Sequence, residues 1–330
     1  TVHDNIVKKS GPGHKGIGLQ DTERTIVSNN TIDDNPLWLR RSKSCIITNN
    51  TISNSEANGI LVEQSTTHCT LTKNSIFRAN LTGIKLDFHS DHSNISDNTV
   101  VESNHAGISL RSSDHITTSG NIVDLSSDIG MLLYSSDFCT ITQNNVTNTR
   151  NSHGMDLEDI EACNISANIV TNTENSHGIY LEGTTSCAIS ANIITNGGIG
   201  YFGIYLAADS HFCKLWGNLL SSNPGGNAND DANDGAGNQW DNGTHGNWWD
   251  DYLGGDANGD GIGDIPYDIS GEGGAQDFYP LMHWNEYHHP ASGRLPSQTS
   301  ASDAAPGMTV LMLLGGLMVL TVFAKRNKSP

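Results

Sequence analysis

The chain has 330 residues and a formal net charge of −19, from 36 Asp and Glu against 17 Lys and Arg. No basic stripe is available for phosphates, which argues against nucleic acid as a partner. Aromatic residues make up 6% of the chain, and long apolar patterns of helical spacing are missing.

The first residue is Thr, and residues 1–20 enter in the middle of a pattern: Lys15-Gly16-Ile17-Gly18-Leu19 already looks like one Gly-Ile-x-Leu strand. No signal peptide is present, so the expectation at this end is a trimmed chain or a fragment. From here a repeat can be followed. One column runs through Asn30, Asn50, Asn74, Asn98, Asn121, Asn144, Asn168, Asn192 and Asn218, and a second through the Gly that opens each Gly-Ile-x-Leu run, from Gly59 to Gly203. A period near 24 residues is the mark of a solenoid. Within each repeat, short runs alternate apolar and polar residues between Asn, Gly, Ser and Asp, which is the pattern of strands bounded by turns. The spacing therefore predicts an all-β chain, a right-handed parallel β-helix of about nine coils over residues 1–222, with coils ~4.8 Å apart. The Asn column predicts a stacked amide ladder at a turn, where Asn tolerates left-handed backbone. All six cysteines fall in one further column, at Cys45, Cys69, Cys139, Cys163, Cys187 and Cys213, whose other occupants are small or apolar. That reads as a packing position holding free thiols.

After the repeats, residues 223–239 form a Gly/Asn/Asp-rich loop. Residues 240–285 hold most of the large aromatic residues, and the end of a β-helix exposes strand edges, so this module is expected to act as a cap. Residues 286–306 read as a disordered spacer. Residues 307–324 are apolar and just long enough to span a bilayer as a helix, and the basic tail 325–330 places the C-terminus inside. The rod is then expected at the cell surface, anchored through its C-terminus.

Two resemblances accompany this reading. The Asn-x-Ile and Gly-Ile-x-Leu strands, followed by Gly246-Asn247-Trp248-Trp249-Asp250-Asp251-Tyr252, Asp256-Ala257-Asn258-Gly259-Asp260-Gly261-Ile262-Gly263-Asp264, Pro266-Tyr267 and Tyr279-Pro280-Leu281, resemble the NosD-like/CASH group of parallel β-helix proteins found on archaeal surfaces. They cover residues 15–282. Pro306-Gly307-Met308 with the apolar segment and Lys325-Arg326 is similar to the archaeal PGF-CTERM sorting signal, with Met308 where that family has Phe. Both resemblances imply a surface location.

Three sets of residues carry candidate chemistry. On the Gly-Ile-x-Leu sheet, outward positions collect Tyr134, Asp156, Glu158, Tyr180, Glu182 and Tyr205. Tyrosines beside carboxylates suit a polysaccharide or surface glycan, with rings against sugar faces and acids on hydroxyls. The carboxylates Asp156, Glu158 and Glu182 are also the candidates for glycoside cleavage. Asp256, Asn258, Asp260, the Ile262 carbonyl and Asp264 match the first part of a calcium loop, though no Glu stands at its twelfth position, and a bound calcium ion would be structural. His153 and His177, each in Ser-His-Gly, should stack between coils. The NosD resemblance makes them candidates for copper, but no Met or Cys joins them, and the residues read more simply as solvated turn histidines. Among several Asn-x-Ser/Thr sequons, Asn80 and Asn242 lie in loops and are the candidate glycosylation sites. The reading that accounts for most of these features is a non-catalytic, structural or adhesive surface protein that binds carbohydrate. The alternatives are a polysaccharide lyase or glycoside hydrolase, and a copper-handling accessory protein.

Overall fold

Runs as short as Thr70–Thr72, Ser75–Phe77 and Ile84–Asp87 cannot hold strand geometry alone. Each is stabilised by the matching run one coil earlier and one coil later. A computed structural model describes residues 1–8, 16–232 and 237–284, and in it these runs form three parallel sheets of 10, 11 and 10 strands. Apart from the last strand of the second sheet, each of these strands pairs with the strand three places away in the chain, the connectivity of a parallel β-helix. The spacer, the apolar segment 307–324 and the basic tail lie outside the described residues. Among those residues there is no α-helix, and no helix long and apolar enough to cross a membrane.

Register decides what lies inside. Leu71 pairs with Ile47 on one side and Ile95 on the other, and all three are fully buried. Alternate residues face outward, so a three-residue strand such as Thr70–Thr72 gives the core one side chain, its central one. Gly154 shows why the strands of the third sheet open on glycine. A Cβ there would lie 2.3 Å from Cγ1 of Val170 and 2.6 Å from the carbonyl oxygen of Gly178, closer than packed atoms approach.

The Asn column is a continuous amide ladder. Asn121 Nδ2 donates to Asn144 Oδ1 at 2.9 Å and to the Ile95 carbonyl at 2.9 Å. Its Oδ1 accepts from the backbone and side-chain nitrogens of Asn98. The ladder runs further than the sequence column, down to Asn5 and up to Asn247. Left-handed backbone, expected at the ladder asparagines, falls elsewhere. The left-handed residues are those before the ladder, such as Asn49, Lys73 and Asp97, while the ladder amides are buried. Their place is fixed by hydrogen bonding inside the corner and not by tolerance of positive φ.

The cysteines behave as the column predicted, all buried and unpaired. Backbone N–H groups of Cys139 and Cys163 lie 3.2 and 3.3 Å from the sulfur one coil on, so the thiols repeat the ladder pattern in sulfur.

The coils do not stop at residue 222. Ala228–Asp230, inside the stretch expected to be a loop, adds a strand to the third sheet, and Trp248–Trp249 adds one to the second. Two buried carboxylates hold these strands in place. Asp230 accepts from the Trp240 indole at 2.9 Å and from Asn238 at 3.1 Å. Asp277 accepts from Asn247 N–H at 2.7 Å and the Trp249 indole at 2.9 Å. Trp240 and Trp249 are thereby packed into the main core.

Candidate functional site

The third sheet positions the candidate site. Ile and Leu of each Gly-Ile-x-Leu run turn inward, so the residues between and after them face out. In-register pairing sets these in two columns. One is Lys85, Ser109, Leu132, Asp156, Tyr180 and Tyr205, and the other is Asp87, Arg111, Tyr134, Glu158 and Glu182. The six residues expected to bind carbohydrate are therefore neighbours on one face.

That face is not the open sheet the alternation suggested. Asp156 is 4% exposed and Leu132 is 9% exposed. Ala106, Ile129 and Leu132 form an outer apolar cluster against Tyr134. Further along, the His153 ring stacks on Tyr180 with centroids 4.4 Å apart, and His177 stacks on Tyr205 at 4.7 Å. Side chains of neighbouring coils are close enough to cover the shorter side chains between them. Asp156 is thus a buried carboxyl and not a surface one, and its Oδ1 has no hydrogen-bond partner. Burial, then the charges of Glu158 and Glu182, push it up to about 7. Glu158, half-buried, is held above the usual carboxylate range first by burial and then by Glu182. The Tyr180 hydroxyl donates to Glu182 Oε2 at 3.0 Å.

His153 and His177 stack between coils as expected, with centroids 5.5 Å apart, but they are not solvated turn residues. Burial drives them down to about 3 and about 4, so both are neutral near pH 7. The Nδ1 atom of His153 lies 2.8 Å from Ser176 Oγ, and that of His177 accepts from Phe202 N–H at 3.0 Å.

Cations also stand on this face, outside the residues predicted from the sequence. A groove of about 340 Å³ is lined by Lys85, His105, Arg111, Leu132, Tyr134 and Glu158, among others. Lys85 Nζ lies 2.6 Å from Asp87 Oδ2, and the Arg111 guanidinium sits 5.1 Å from the centre of the Tyr134 ring. Lys85 and Arg111 stand in the same two outward columns as the carboxylates, which was the available signal. His105 precedes its strand and left no signal of its own.

The remaining candidates lie apart from this face. In the 256–264 loop, the Asp256 carboxylate accepts backbone N–H groups of Gly259 at 2.7 Å and Gly261 at 2.9 Å, and Asp264 accepts from Ala257 at 2.7 Å. Asn258 Oδ1 accepts from Asp260 N–H, and Asp260 Oδ1 from Ile262 N–H, so the loop is closed by its own side chains. Among the described residues no three His, Cys, Asp or Glu side chains are grouped to hold a metal ion. Asn80 and Asn242 are both exposed.

These coils define the class, a parallel β-helix whose outer sheet face carries stacked rings beside acids and cations. A family model described as the right handed beta helix region matches residues 1–100, and one described as the periplasmic copper-binding protein NosD matches residues 87–254. The second match spans more than half of the chain, which therefore belongs to the NosD family. No curated protein matches it. Among solved structures it is similar in fold to a mutant of the periplasmic alginate epimerase AlgG, at 13% identity and a TM-score of 0.53, over 69% of this chain and 73% of that one. It is also similar to endopolygalacturonase I from Stereum purpureum complexed with two galacturonate, at 12% identity and a TM-score of 0.56, over 69% and 92%.

Copper, which the family's description names, does not fit the two candidate histidines. Their rings lie nearly parallel, 14° apart at 5.5 Å, so the nitrogen lone pairs run side by side instead of meeting at one point. Both Nδ1 atoms are already engaged, and the cysteines are in the core.

Proposed function

We propose that the outer face of the third sheet binds a polysaccharide laid along the coil axis and does not cleave it. The observation that carries this reading is the continuity of the face. The groove at Lys85, Arg111, Tyr134 and Glu158 runs on, one coil per step, into the stacked rings of Tyr180 and Tyr205 at 5.6 Å. Rings pack against apolar sugar faces, and the flanking acids and cations bond to hydroxyls and carboxylates. A repeating face suits a repeating ligand. Two proteins sharing the fold are named for such polymers, alginate and polygalacturonate. Asp156, pushed up to about 7 by burial, is 4% exposed, and that burial argues against turnover, because a general acid must reach the glycosidic oxygen.

On this reading the chain is a structural or adhesive surface protein. The apolar stretch 307–324 anchors it, the aromatic module closes the last coil, and Asn242 carries a glycan. The test is retention of the purified chain on a polysaccharide panel, with reducing ends and unsaturated sugars assayed in parallel. The expected result is retention without product, weakened about tenfold in Tyr180→Ala and in Glu158→Gln. Product release abolished by Glu158→Gln would establish the lyase or hydrolase reading instead. Retention unchanged in both variants would move the site elsewhere.

A further inference from the structure

A larger concavity, about 850 Å³, lies at the corner where the second sheet hands over to the third. Its shape follows from the backbone. Along this corner the residue after the second-sheet strand is left-handed, as at Asn54, Arg78, Glu102 and Leu125, and the chain bends sharply there. The next residue is small and turned in, as at Ser55 and Ala79. The one after that turns out again, at Glu56, Asn80, Asn104, Ser127 and Arg150. Stacked over five coils, the bend gives two walls and a floor running along the axis. The walls are tied coil to coil. Arg78 Nε donates to Glu102 Oε2 at 2.7 Å, and Asn104 Nδ2 donates to Asn80 Oδ1 at 2.9 Å.

The groove spans four coil steps from Glu56 to Arg150, about 19 Å at ~4.8 Å per step. Its lining is amide, hydroxyl, carboxylate and guanidinium, with Leu125 and Ala79 as the apolar members. That chemistry suits neither a lipid nor an apolar peptide, but it does suit a chain of hydroxyls. The two ends differ in charge. Among the described residues, Arg150 makes no ion pair at one end and Glu56 makes none at the other.

We propose that this corner groove is a second glycan site, independent of the sheet face. It takes a short oligosaccharide along Asn80 and Asn104, with an acidic sugar at Arg150. Because the groove and the sheet face lie on the same coils, one polymer can be gripped on both.

The test is calorimetric titration of the full chain with oligogalacturonides and malto-oligosaccharides of increasing length. The expected result is two sites for oligogalacturonide. Asn104→Ala with Arg150→Ala removes one, and Tyr180→Ala with Glu158→Gln removes the other. Affinity at the corner should rise with length to about four units and then level off. Arg150→Ala alone should lose about tenfold for the acidic series and little for the neutral one. The Asn104 and Arg150 side chains are exposed, so circular dichroism should show the fold unchanged in the corner variants. A single site lost only with the Tyr180 and Glu158 pair would overturn this inference and leave the sheet-face reading standing. A single site lost only with the Asn104 and Arg150 pair would do the reverse. Equal affinity of the Arg150→Ala variant for acidic sugars would overturn the placement of the acidic unit.

Discussion

Replacing Asp156 with Asn should stabilise the protein in neutral solution and leave it unchanged in acid. The folded carboxyl titrates at about 7, against an ordinary value of 3.8. Between these values the native state keeps a proton that the unfolded chain has released, so stability falls as pH rises through the window and is level on either side. At 1.36 kcal/mol per unit, the gap amounts to about 4 kcal/mol, an upper figure for what ionised Asp156 costs the fold above about pH 7. Asn holds the same shape without the charge. Its carbonyl oxygen can take the place of Oδ1, which has no partner to lose, and its amide can donate to Glu158. His153, whose pKa burial lowers to about 3, has the opposite sign. Its contribution is complete above the unfolded value of 6.5 and is lost as pH falls toward 3. Both proteins keep His153, so it cancels in the difference. Thermal melts of the two proteins from about pH 4 to about pH 8 should start together and separate by several degrees. Parallel profiles, or an Asn variant less stable at about pH 8, would refute the claim that Asp156 is a desolvated acid.

Asn121→Ala strands the Asn98 amide, the Ile95 carbonyl and the Asn144 oxygen inside the corner. Denaturant unfolding should show a loss of about 4 kcal/mol or more, because each stranded buried group costs about 1–3 kcal/mol. Thr118 is fully buried between Ile95 and Ile141, and its hydroxyl has no partner. Thr118→Val should therefore raise stability by about 1 kcal/mol, and a loss would mean that the hydroxyl is bonded. The 256–264 loop already spends its carboxylates on its own amides. Millimolar calcium should accordingly move the melting temperature by no more than about a degree relative to chelator, and a rise of several degrees would show that an ion is held there.

The period and the identity of the inward residues were legible in the sequence because stacking forces like onto like. Leu71 over Ile47 and Cys163 beside Cys187 could be placed from spacing alone. Residue counting broke down where insertions stretched a coil. Asn247 comes 29 residues after Asn218, and Ala228–Asp230 looked like loop because the partners that make a polar strand tolerable, Trp240 and Asn238, come later in the chain. On the candidate face, alternation gave the direction of Asp156 but not its burial. The covering rings of His153 and Tyr180 come from different coils, and their meeting depends on rotamers that no spacing encodes. Lys85 and Arg111 could have been picked out, since they stand in the very columns that named the acids.

The amide ladder from Asn5 to Asn247 has a consequence for how the molecule comes into being. Every coil ends in a row of donors and acceptors that only the following coil can satisfy, so a finished coil is a template for the next. Such an object grows from a seed, as a crystal does, one layer at a time from whichever coil forms first. A chain arrested halfway would already be ordered up to its last complete turn and sticky at its growing edge.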